Sequence, residues 1–161
     1  MKVVFSKNDL IGSYVIRLLS NDHARLGDTP SHMALIFWDS LVIESVIGDG
    51  VRLNFYPTFL KKNKIVAEFE MINSDSKSNY NLVASKFHGR KYDYLGVLWF
   101  ALQIILHKVF KVKLKKNPFS SNTALFCNEV IEPLLGYSVS SMTPYQLLKH
   151  LSGHSSFVRL K

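Results

Sequence analysis

Ser31-His32-Met33-Ala34-Leu35-Ile36-Phe37-Trp38, then Asp39-Ser40, then Leu41-Val42-Ile43-Glu44-Ser45-Val46, is the stretch whose periodicity settles the fold class. Two short apolar runs joined by a polar pair, and closed by Gly48-Asp49-Gly50, predict a β-hairpin. Val51 to Tyr56, stopped at Pro57, predicts a third strand. Lys64 to Met71 predicts a fourth, with Ile65, Ala67, Phe69 and Met71 alternating against Lys64, Val66, Glu68 and Glu70.

The flanks follow a different period. Leu10, Tyr14, Ile16, Arg17 and Leu18 suit one amphipathic helix over Leu10 to Leu19, and Asn21 to Pro30 reads as a loop. Beyond the strands, helices are predicted over Asn79 to Phe87, over Asp93 to about Val112, and from Asn122 or Thr123 to Leu135, stopped by Gly136. A further helix runs from Thr143-Pro144 to Leu151, with Pro144 at a first helical position, and His154 to Leu160 is the place for a last strand. Strands and helices segregated in this way predict an α+β fold with a small antiparallel sheet packed against helices. The 161 residues fit a single domain, and the 47% hydrophobic share with 20% charged residues is that of a chain with a real core.

Composition narrows the chemistry. One cysteine, Cys127, excludes an intramolecular disulfide and a multi-cysteine zinc site, and neither a metal nor a cofactor is expected. The amino terminus has too short an apolar run before Asn8 and Asp9 for a signal peptide, so synthesis in the cytoplasm is expected. The net charge of +8 is spread along the chain and concentrates only at Lys108, Lys111, Lys113, Lys115 and Lys116. Without a helix-turn-helix, zinc-finger or RNA-binding signature this predicts a solvated basic face and no specific nucleic-acid partner. The apolar segment Tyr94 to Phe110 is too short and interrupted to span a bilayer. It reads as a core helix, with peripheral membrane contact through Tyr94 to Lys116 as the competing reading.

Three polar residues stand out from apolar surroundings. Cys127 falls close to the start of the helix expected from Asn122 or Thr123, where unpaired amides favour a thiolate. It also shares an apolar face with Val130, Ile131 and Leu134, which is the pattern of a packed core cysteine. His32 opens the first hairpin strand and Glu44 lies in the second. A nucleophilic thiol needs an imidazole to take its proton and a third group to orient that imidazole. His32 and Glu44 answer to those needs if hairpin register places them on one face. A strand-edge histidine and a solvent-facing glutamate are the plain alternatives.

Taken together, Ser31 to Ile36, Val42 to Val46 with Gly50-Val51, Gly89-Arg90-Lys91-Tyr92-Asp93-Tyr94 and Phe126-Cys127-Asn128-Glu129-Val130-Ile131 resemble the permuted branch of the NlpC-type papain-fold amidases, the YiiX-like proteins. In that branch the histidine strand precedes the cysteine helix, as His32, Glu44 and Cys127 do here. The resemblance spans about Leu10 to Leu151, and the early Gly-Asp strand motif that often opens these domains is missing. It implies a circularly permuted papain-like hydrolase with Cys127 as nucleophile, His32 as base and Glu44 orienting His32. Tyr92 is similar to a tyrosine placed beside the cysteine, where its hydroxyl would help to stabilise an oxyanion. The implied activity is cleavage of an amide through a thioester on Cys127, with a peptide, including a cell-wall peptide, as substrate. The alternative is a catalytically idle module of the same fold in a phage particle or envelope complex.

Overall fold

The computed structural model describes residues 1–9, 13–14, 16–17, 28–93, 99, 102, 106, 110–111, 124–125, 127–140 and 142–161. Its centre is an antiparallel six-stranded sheet, and four helices bounded within the described residues pack with it in an α+β architecture. The strands are β1 (Lys2–Lys7), β2 (His32–Phe37), β3 (Leu41–Val46), β4 (Gly50–Phe55), β5 (Lys64–Met71) and β8 (Phe157–Arg159), in spatial order β4-β3-β2-β1-β5-β8. A separate parallel pair joins β6 (Lys91–Tyr92) to β7 (Ala124–Leu125). The helices are α1 (Tyr56–Lys62), α2 (Ser76–Phe87), α3 (Glu132–Leu135) and α4 (Pro144–Ser152), and a 3-10 turn over Asn128–Ile131 leads into α3.

The hairpin forms where the two apolar runs of residues 31–46 put it, with Ala34 opposite Glu44 and Phe37 opposite Leu41. Its tip is tight: Trp38 and Asp39 both take positive φ, near 52° and 55°, the left-handed geometry that matches the twist of paired strands. β1 is the strand that periodicity missed. Lys2-Val3-Val4-Phe5-Ser6-Lys7 is too brief to show a period, yet it fills the sheet's centre because Val3, Val4 and Phe5 are fully buried between β2 and β5.

Two further corrections concern proline. Pro57 was expected to close the third strand, but it sits in the first turn of α1, where its missing N–H costs nothing. The continuous helix expected from Asn122 or Thr123 to Leu135 does not form. Ala124–Leu125 are a strand, Cys127 stands just before the 3-10 turn, and Pro133 opens α3. A proline at 133 cannot donate to the carbonyl of Glu129 and would clash with it in an α-helix, so the chain tightens to a 3-10 turn and restarts. α2 begins three residues before the expected Asn79, because Asp75 caps it through the Lys77 N–H at 3.1 Å. α4 carries the full capping box of Thr143 and Gln146.

Of the expected helix at Leu10 to Leu19, Ser13, Tyr14, Ile16 and Arg17 are helical; the remainder lies outside the described residues. Of the helix expected over Asp93 to about Val112, Trp99, Leu102, Leu106 and Phe110 are helical, Asp93 and Lys111 are not, and the remainder lies outside the described residues. The basic run Lys113 to Lys116 lies outside them. Among the described residues, no helix is long and apolar enough to cross a membrane.

Each face of the sheet is covered. Alternate residues such as Phe5, Met33, Leu35 and Phe69 pack with Val83 and Phe87 of α2, with Val130 and Ile131 of the 3-10 turn, and with Leu147 and Leu151 of α4. On the other face Val4, Ala34, Ile36 and Val42 are sealed by Phe59 of α1. His32 and Glu44 belong by parity to this second face, and the apolar layer stops just short of them.

Candidate active site

Register brings the first pair together. Glu44 is opposite Ala34, so it sits diagonally from His32 on the same face of neighbouring strands. The contact is direct: His32 Nε2 lies 3.0 Å from Glu44 Oε2. A carboxylate can only accept, so this ring nitrogen carries the proton and donates. The Glu44 side chain is only 2% exposed, and that of His32 is 13% exposed.

β4 completes the carboxylate's surroundings with two residues that sequence reasoning did not single out. Arg52 is opposite Glu44 in register, and Asn54 is diagonal to it. Arg52 donates to Glu44 Oε1 from Nε at 3.1 Å and from Nη2 at 3.0 Å, and Asn54 Nδ2 adds a third bond at 3.0 Å. Arg52 Nη1 reaches Asp49 in the Gly48-Asp49-Gly50 turn. The available signal was an arginine and an asparagine at alternate positions of a strand beside a buried glutamate.

Cys127 approaches His32 from the other side. The 3-10 turn that follows it packs on β2 and β3, and the Cys127 side chain acts on the imidazole closely enough to favour its charged form. With Nε2 engaged by Glu44, Nδ1 is the nitrogen left for sulfur. Asn128 lies beside it: Cys127 Sγ is 3.6 Å from Asn128 Oδ1, and Asn128 Nδ2 is anchored on the Met142 carbonyl at 2.7 Å.

These contacts decide the charge states. Burial works against a charged ring at His32, but the bonds and charges of Cys127 and Glu44 outweigh it and raise its pKa from 6.5 to about 9. Burial would likewise raise the Glu44 carboxyl. His32, Asn54 and Arg52 overcome that penalty and lower it from 4.5 to about 2. At neutral pH the pair is therefore imidazolium and carboxylate.

Tyr92 enters through the small parallel pair: Tyr92 of β6 is opposite Leu125 of β7, two residues before Cys127. Its position depends on Gly50. The Val51 N–H donates to the Arg90 carbonyl at 2.8 Å and the Gly89 N–H to the Val51 carbonyl at 3.1 Å, which straps the chain before Tyr92 onto the start of β4. A cleft of about 680 Å³ opens here, lined by His32, Glu44 and Tyr92 together with Arg52, Ser31 and Lys62 among others. Cys127 does not line this cleft, and the residue is 9% exposed.

Of the four expected site residues, His32, Glu44 and Tyr92 line one cleft, and Cys127 is outside that lining but acts on the His32 ring. Among the described residues no three His, Cys, Asp or Glu side chains gather as a metal site. Compared with known proteins, the chain matches no family model and no curated sequence.

Proposed function

We propose that this protein is a cysteine hydrolase of permuted papain-like fold that cleaves an amide through a thioester on Cys127. The observation that carries the reading is the line from the Cys127 thiol through the His32 ring to a sealed, fully bonded Glu44 carboxylate. A buried ion pair of this kind is costly to build, and groups perturbed by burial and a specific charge partner beside a cleft concentrate at functional sites.

The chemistry follows from the contacts. With His32 already holding the thiol proton as imidazolium, Sγ attacks the carbonyl carbon of the substrate, and the oxygen gains the negative charge. Collapse breaks the C–N bond; His32 returns its proton to the leaving amine, and the acyl group remains on sulfur as a thioester. A water then attacks that carbonyl with His32 as base, the C–S bond breaks, and the thiol is restored. Glu44 stays ionised throughout and holds the imidazolium. Tyr92 is placed to offer its hydroxyl to the oxyanion. A peptide amide is the substrate class. A cell-wall peptide suits a chain of net charge +8, since its surroundings are anionic.

One observation favours a second reading, a catalytically idle module of the same fold: Cys127 is 9% exposed and absent from the cleft lining. Alkylation by iodoacetamide across pH separates the two. In the hydrolase, native Cys127 alkylates at pH 6, and His32→Ala slows this about tenfold or more, with the rates converging above about pH 9, where an unassisted thiol ionises. Equal rates for the two proteins at pH 6, or no alkylation of the native protein at any pH, would overturn the hydrolase reading.

A further inference from the structure

A sealed carboxylate is tolerable only when its lone pairs are met. At Glu44 they are met asymmetrically. Oε1 takes the Arg52 Nε and Nη2 bonds at 3.1 and 3.0 Å and the Asn54 bond at 3.0 Å, and Oε2 faces His32 Nε2 at 3.0 Å. Strand register makes this possible, because Arg52 stands directly opposite Glu44 on β4. Five side chains of ionisable type then follow one another from the nucleophile to the surface: Cys127, His32, Glu44, Arg52 and Asp49, the last 57% exposed.

We propose that Arg52 is a positioning residue, whose fork on Glu44 Oε1 leaves Oε2 as the only oxygen facing His32 and so fixes the ring that serves Cys127. This rests on the cysteine-hydrolase reading. The requirement is for a fork and not merely for a positive charge: Nε and Nη2 of one planar guanidinium hold the same oxygen while Nη1 is tied to Asp49. A lysine ammonium keeps the charge and cannot reproduce that geometry. Without it only the Asn54 bond restrains Oε1, so the carboxylate and the ring it orients are held less firmly while the fold keeps its charge balance.

Among the described residues, Glu44 meets His32 directly and Cys127 acts on its ring, Arg52 and Asp49 lie beyond Glu44, and Asp9, Lys62 and Tyr92 stand on the cleft wall. The test is iodoacetamide alkylation of Cys127 from pH 5 to 9 in the wild type, Arg52→Lys, Arg52→Ala, His32→Ala and the Arg52→Lys/His32→Ala double variant, with thermal unfolding of each. Arg52→Lys is expected to unfold near the wild-type temperature and yet alkylate about tenfold more slowly at pH 6, the rate equivalent of one lost hydrogen bond to a charged group. The deficit should close above about pH 9 and vanish in the His32→Ala background. Wild-type rates in Arg52→Lys overturn the proposal, and so does a deficit that survives without His32. Should Arg52→Ala fail to fold, Arg52→Lys decides alone. A slow His32→Ala with a normal Arg52→Lys sinks only the role given to Arg52, whereas a normal His32→Ala sinks the hydrolase reading beneath it.

Discussion

His32 and Glu44 make the site's residues sensitive to pH in opposite senses. The Glu44 carboxyl is lowered from 4.5 to about 2, so its contribution to stability is complete above about pH 4.5 and is lost as the pH falls towards 2. The His32 ring is raised from 6.5 to about 9, so its contribution is complete below about pH 6.5 and is lost as the pH rises through 9. Urea midpoints measured from pH 6.5 to 9 should therefore fall in the wild type and stay flatter in His32→Ala; equal slopes would mean that the ring gains nothing from its partners. Cys127 makes a different prediction. It precedes a 3-10 turn and caps nothing with its side chain. Cys127→Ala should abolish hydrolysis and change the unfolding free energy by about 1 kcal/mol or less, whereas a loss of several kcal/mol would mark the thiol as core packing. His32 and Glu44 were legible in the sequence because each interrupts an apolar strand. Arg52 and Asn54 were not, since a polar residue at alternate positions of an edge strand is what solvent exposure also produces.

At the scale of elements, Gly50 is the pivot between the sheet and the Tyr92 segment. Its φ is +74°, and a Cβ there would lie 2.1 Å from the Arg90 carbonyl oxygen, a backbone atom that cannot swing aside. Gly50→Ala is expected to cost about 2–4 kcal/mol and to loosen Tyr92, read as a lowered thermal midpoint together with changed Tyr92 ring resonances. A variant as stable as the wild type would show that the strap is dispensable. Phe59 seals the sheet face that carries His32 and Glu44: it is 1% exposed, and its ring centroid is 6.2 Å from that of His32. Phe59→Ala should cost about 3–5 kcal/mol, and a smaller loss would mean that α1 settles into the space. The elements show why sequence reading succeeds and where it stops. The hairpin and α4 were legible because two apolar runs about a polar turn, and a proline at a first helical position, are local signals. α1 and the break after Cys127 were hidden behind Pro57 and Pro133, each of which ends one element and opens another; the residue type alone does not say which.

For the whole molecule, the spatial order β4-β3-β2-β1-β5-β8 ranks the strands by protection. β1 and β2 have partners on both sides and are covered on both faces, so their amides should exchange with solvent most slowly, while those of the edge strands β4 and β8 should exchange fastest among the sheet strands. Hydrogen exchange followed by mass spectrometry checks this, and a β8 that outlasts β1 would contradict the order. The fold class was legible from the segregation of strands and helices. The extent of the sheet was legible only in part: a last strand was expected over His154 to Leu160, where β8 forms, but β1 is too short to show a period and owes its place to distant partners. That dependence shapes how the chain reaches its native state. Val3 pairs with Leu35 on one side and with Phe69 on the other, and Met71 in turn pairs with Phe157. The middle of the sheet cannot close until residues far apart in the chain have met, so the contact order is high and folding belongs in the slow, millisecond-to-second range of such topologies. As the chain leaves the ribosome, Val3, Val4 and Phe5 emerge long before the strand that will cover them. The nascent protein must carry that apolar edge uncovered until β5 arrives, and the hairpin of β2 and β3 is the first native template it can meet.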